Sequence, residues 1–110
     1  MNIIDFCKWE NEVFGYSYGT GEDTILTDLR KFLNLIPESE STYKYEIIEE
    51  QLGKTITWLF INILCRKWII DYGSSPRFGW LSEKGNELKC FLNNTSNEEI
   101  INYMNNYLYC

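Results

Sequence analysis

Apolar side chains recur along this chain with the periods of several short elements. Ile25, Leu26, Leu29, Phe32, Leu33 and Ile36 fall at the i, i+1, i+4, i+7, i+8, i+11 spacing of one helix face. Pro37 follows and ends that helix, because its ring has no N–H to donate. A helix is also predicted over residues 3–14, carrying Ile3, Phe6, Cys7, Val13 and Phe14, with Asn2 as its N-cap. Gly15, Gly19 and Gly21 make the intervening stretch a loop, and Thr20 with Asp23 forms a capping signal for the second helix.

Glu38 to Ser41 reads as a polar linker and Thr42 to Tyr45 as a short strand. Glu46 to Leu52 is a predicted helix stopped by Gly53, and a second helix runs from about Thr55 to Lys67 after the turn at Gly53-Lys54. Trp68 to Tyr72 alternates weakly and reads as a strand. Gly73-Ser-Ser-Pro-Arg77 is the turn, and Phe78 to Leu81 the returning strand. Ser82 caps a further helix with Leu88, Phe91 and Leu92 inward. Ser96 and Glu99 form a capping box that opens a last helix carrying Ile100, Ile101, Met104, Tyr107 and Leu108.

Composition narrows the class. With 110 residues, 45 % of them apolar, the chain builds one domain with its own core. Residues 1–40 form its acidic N-terminal helices, 42–93 its centre and 96–110 its C-terminal helix. The net charge is −6, which argues against nonspecific nucleic-acid binding, since phosphate neutralisation needs clustered Lys and Arg. The excess is local. Residues 1–43 hold Lys8, Arg30 and Lys31 against eight carboxylates, whereas residues 44–90 hold seven basic groups against six acidic ones.

The N-terminus has neither a basic n-region nor a long apolar run, so no signal peptide is expected. The longest apolar stretch, Trp58 to Cys65, is too short to span a bilayer. Four cysteines at 7, 65, 90 and 110, with no Cys-x-x-Cys, read as reduced, mostly buried thiols. The expected location is cytoplasmic, away from membranes.

Residues 45–92 resemble the winged helix-turn-helix superfamily. The likeness is carried by Glu46-Ile-Ile-Glu-Glu-Gln-Leu-Gly53 as first helix and turn, by the helix ending Cys65-Arg-Lys-Trp-Ile-Ile70, and by Gly-Trp-Leu-Ser-Glu-Lys-Gly-Asn-Glu-Leu at 79–88. The last stretch is similar to the Leu-Thr-x-x-Gly-x-x-Leu wing exit of many bacterial regulators. The resemblance implies a mainly α fold with a small β-hairpin, and extra helices at both ends. Function does not follow from it, because winged helices serve DNA binding, RNA binding and protein docking alike.

In DNA-binding members the second helix of the pair enters the major groove with polar and basic side chains. Anchoring Ile69-Ile70 as the apolar pair before the wing turns Thr57, Ile61 and Leu64 inward. Thr55, Trp58, Leu59, Asn62 and Arg66 then face outward, and Trp58 and Leu59 are ill suited to phosphates and base edges. The helix is apolar nearly all round, so three readings stand: the N-terminal helices cover it, a partner or second copy covers it, or it enters a groove. At the wing, Ser75 and Arg77 project beside Phe78 and Trp80. Arg77 is placed to meet a phosphate, a partner's carboxylate, Asp71 or solvent. Tyr16, Tyr18, Trp9 and Phe14 gather around the glycine loop, more as filling between helices than as a surface.

The chain has no histidine, which removes Ser-His-Asp and Cys-His chemistry, the usual general base and the commonest metal ligand. Adjacent carboxylates at Glu49/Glu50 and Glu98/Glu99 point to different sides of a helix, not at one substrate. The expectation is a protein without enzymatic activity, metal or cofactor. It docks a protein partner, or itself, through Trp58, Leu59, Asn62, Ser75, Arg77 and Trp80. Small acidic proteins of this kind are frequent among phage and mobile-element inhibitors of host proteins; a homodimeric adaptor is the other form of the same reading. The alternative is a dimeric DNA-binding regulator using Thr55, Arg66, Lys67, Arg77 and Lys84.

Overall fold

The structure, a computed structural model, describes residues 1–14, 21–36, 45–72 and 79–108. They form α1 (Ile3–Phe14), α2 (Gly21–Leu35), α3 (Tyr45–Leu52), α4 (Lys54–Arg66), β1 (Ile70–Tyr72), β2 (Gly79–Leu81), α5 (Glu83–Asn94) and α6 (Asn97–Tyr103), with a π-helical turn over Met104–Leu108. The fold is mainly α with one two-stranded antiparallel sheet, in the register Ile70↔Leu81, Asp71↔Trp80, Tyr72↔Gly79.

α2 is the hub. Its apolar stripe of Leu26, Leu29, Phe32 and Leu33 is fully buried, and the helix packs on α3, α4, α5 and α6. Polar bonds at its rim fix the angle. Arg30 Nη2 donates to the Thr95 carbonyl (2.9 Å) and to Asn97 Oδ1 (2.8 Å), while Asn97 Nδ2 donates to Thr27 Oγ1 (3.0 Å). The amides of Asn34 and Asn93 exchange bonds of 3.1 and 3.0 Å. The turn between α5 and α6 is thereby tied to α2.

α1 closes the opposite side with aromatic rings. Phe6 stacks on Phe91 of α5 at 4.8 Å, and Phe14 meets Phe60 of α4 edge-on at 5.8 Å. Trp9, between Phe6 and Phe14, is buried, as filling between helices requires; Tyr16 and Tyr18 lie outside the described residues.

The capping signals are realised locally. Asn2 Oδ1 accepts from the Asp5 N–H (2.8 Å), Ser82 Oγ from the Gly85 N–H (3.0 Å), and Ser96 with Glu99 makes a full capping box. The Thr20–Asp23 signal, the loop 15–20, the linker 38–41 and the wing turn 73–77 lie outside the described residues, as do Pro37 and Phe78.

Three expectations need correction. Tyr45 is not a strand residue: it is buried and opens α3. Trp68 is not in a strand either. It ends the turn after α4, with φ +63°, and β1 begins two residues later. At the C-terminus the helix widens to π spacing from Met104, which breaks the 3.6-residue period that would set Tyr107 beside Met104. Tyr107 is exposed and stacks on Tyr103 at 4.8 Å instead.

Candidate functional site

α3 and α4 meet at a single residue, Gly53, whose φ of +84° suits a glycine and turns the chain sharply. Its N–H still donates to Glu49 O (2.8 Å), and its carbonyl accepts from the Thr57 N–H (3.1 Å), so the break costs few backbone bonds. α4 then buries Thr57, Phe60, Ile61 and Leu64. Phe60 is held edge-on between Phe14 and Phe32.

The other side of α4 is open. Thr55 and Arg66 are exposed, Asn62 is half-buried, and Trp58 and Leu59 keep 58 % and 39 % of their surface in solvent. The N-terminal helices therefore do not cover these two side chains: α1 and α2 reach α4 on its Phe60 side. Asn62 Nδ2 donates to the Trp58 carbonyl at 2.8 Å. Residues 58, 62 and 66 share one stripe by helical spacing, and that stripe leads toward the C-terminal end of α4.

That end is closed by a Schellman motif. The Ile69 N–H bonds Leu64 O at 3.0 Å and the Trp68 N–H bonds Cys65 O at 3.4 Å, with Ile69 and Leu64 both fully buried as its apolar contact. The left-handed position of the motif, normally glycine, is occupied by Trp68. For an L residue that conformation costs roughly 1–2 kcal/mol. The carbonyls of Trp68 and Ile69 share the single hydroxyl proton of Ser82, and the Ser82 N–H adds a bond of 2.9 Å to Ile69 O. Backbone bonds on both sides thus fix the Trp68 Cα–Cβ direction, yet its side chain is 74 % exposed.

Sequence reasoning placed Trp68 in a strand and passed over it as a site. A signal was available: no glycine lies between Lys54 and Ile70, so a helix that stops before the Ile69-Ile70 pair must use some other residue at its left-handed end.

Trp68 stands between two grooves. One, of about 390 Å³, is lined by Cys65, Arg66, Ile70, Asp71 and Tyr72. The other, of about 570 Å³, is lined by Met1, Asp71, Ser82, Glu83, Lys84 and Glu87. Trp80, half-buried on β2, pairs across the hairpin with Asp71. Ser75 and Arg77 lie outside the described residues.

Among the described residues the basic side chains do not form an uninterrupted strip. Lys67 Nζ pairs with Glu12 at 3.6 Å, which spends its charge on α1. Lys84 shares its groove with Asp71, Glu83 and Glu87. Arg66 and Thr55 face solvent.

Burial pushes the Cys7 and Cys65 thiols up to about 11, with Glu10 and Asp71 respectively adding to the effect. Both stay protonated and unreactive near neutrality. Cys90 is exposed on α5. Among the described residues no group of His, Cys, Asp or Glu side chains could hold a metal ion, and no helix is long and apolar enough to cross a membrane. The chain matches no protein-family model, no characterised protein and no solved structure.

Proposed function

We propose that this chain is a non-enzymatic binding protein, a winged-helix scaffold used for protein–protein interaction. In that scaffold α3 and α4 are the helix-turn-helix pair, the β1–β2 hairpin is the wing, and α1, α2 and α6 are additions. The observation that carries the reading is the exposure of Trp58 and Leu59 on the second helix. A groove-reading helix presents polar and basic groups there. A large aromatic beside a leucine, ringed by polar groups, is the composition of a protein-interface centre. The net charge of −6 supports the same reading, and an inhibitor of a host protein and a homodimeric adaptor are both forms of it.

The test compares the protein with its Trp58→Glu/Leu59→Glu variant in duplex titrations and in sedimentation. Expected is no binding to a random-sequence duplex at low salt, with any self-association of the wild type lost in the variant. Tight duplex binding that weakens steeply with salt would overturn the proposal. It would favour a DNA-binding regulator, whose best-placed described residue is the exposed Arg66.

A further inference from the structure

We propose that the groove beside Trp68 receives an arginine or lysine side chain from a basic segment of the protein partner. The proposal rests on the docking reading above and names the chemistry of what is docked.

The first support is Trp68 itself. Among the described residues it keeps the greatest share of surface in solvent of any exposed large apolar side chain, 74 %. Its indole does not serve the core, and its backbone position would be served better by glycine. What the position does provide is a fixed aromatic face. The Trp68 N–H, the Trp68 carbonyl and the next N–H are all bonded, so little backbone freedom is lost when a ligand settles on the ring.

Charge supplies the second support. The 570 Å³ groove sets Trp68 beside Asp71, Glu83 and Glu87, with Lys84 and the α-ammonium of Met1 as the cations of its lining residues. Three carboxylates against two ammonium groups leave the groove one negative charge, and the net charge of −6 on the whole chain adds to it. Indole is the strongest aromatic partner for a cation, and carboxylates accept the N–H groups that point away from the ring. A guanidinium meets both demands at once: it stacks flat on the ring and donates at its edge. Asp71 and Trp68 also line the 390 Å³ groove on the other side, where Arg66 offsets Asp71 and Tyr72 is exposed. The bound segment therefore has room to continue past the ring, with its cation held on the side of Glu83 and Glu87.

The probe is an end-blocked hexa-arginine peptide, titrated calorimetrically at low salt. The wild type is expected to bind it. Trp68→Gly is expected to bind about two- to fivefold more weakly, the worth of one exposed cation–π contact. Its melting temperature should hold or rise by a few degrees, because glycine is at ease in the left-handed position. Trp68→Asn, also tolerant of that conformation, repeats the test in a second background. Asp71→Asn/Glu83→Gln/Glu87→Gln should weaken binding and flatten its salt dependence.

Absence of binding by the wild type, or binding by Trp68→Gly equal to the wild type, overturns the proposal. Equal binding would mean that the peptide answers only to net charge, which Trp68→Gly leaves unchanged. Either failure leaves the Trp58/Leu59 reading intact, since that is measured by the duplex titration and by the Trp58→Glu/Leu59→Glu variant.

Discussion

Gly85 sits where a Cβ would lie 2.3 Å from the Ile69 carbonyl oxygen and 3.1 Å from Leu81 Cδ2. The first turn of α5 presses on the strand entry at this point, and backbone cannot yield as a flexible side chain can. Gly85→Ala is expected to cost about 2 kcal/mol or more, read as a drop in the urea midpoint. Gly53→Ala meets open space but keeps φ at +84°, so its expected cost is the strain alone, about 1–2 kcal/mol. Ser82→Ala removes a helix cap and two bonds to the chain after α4 together. A loss of about 1–2 kcal/mol is expected in the same assay. These residues show what the sequence made legible and what it did not. The cap at Ser82 needs one hydroxyl before a helical run and the box at Ser96 needs Glu99 three residues on, so both patterns are visible in the string. The need for glycine at 85 depends on Ile69, sixteen positions away, and only the folded chain brings the two together.

At the scale of elements, α2 was the most legible, since its buried stripe is a property of its own period. α4 was the least. Its apolar residues surround the helix, and which side is covered depends on where α1 and α2 pack. That decision is made by Phe14 and Phe32 meeting Phe60, contacts that no local spacing announces. A helix with an exposed apolar side should tolerate charge there. The Trp58→Glu/Leu59→Glu variant is accordingly expected to melt within about 4 °C of the wild type, as surface substitutions generally do. A collapse of the fold would instead place these side chains in a core.

The whole molecule answers to pH and to thiol reagents through the buried Cys7 and the half-buried Cys65. The Cys7 and Cys65 thiols have folded values near 11 against an ordinary 9. Folding favours their protonated form, so this contribution to stability is complete below about pH 9 and is lost as pH rises toward 11. Iodoacetamide at pH 8 should label Cys90 quickly, the half-buried Cys65 slowly, and Cys7 only after denaturant is added, which mass spectrometry of the digested protein would resolve. Fast labelling at position 7 in the native protein would contradict the packing of α1.

The left-handed tryptophan also has a consequence for descent. Tryptophan has a single codon, and one base change in it yields glycine, the residue that would relieve the strain at the end of α4. The more stable protein is thus one mutational step away. Under selection for stability alone, position 68 should drift to glycine within few generations of mutagenesis and sorting. If binding through the indole is also selected, tryptophan should persist at 68 while compensating stability accumulates elsewhere. A laboratory lineage sorted for thermal resistance, beside one sorted for capture of a basic peptide, would separate at this codon before most others.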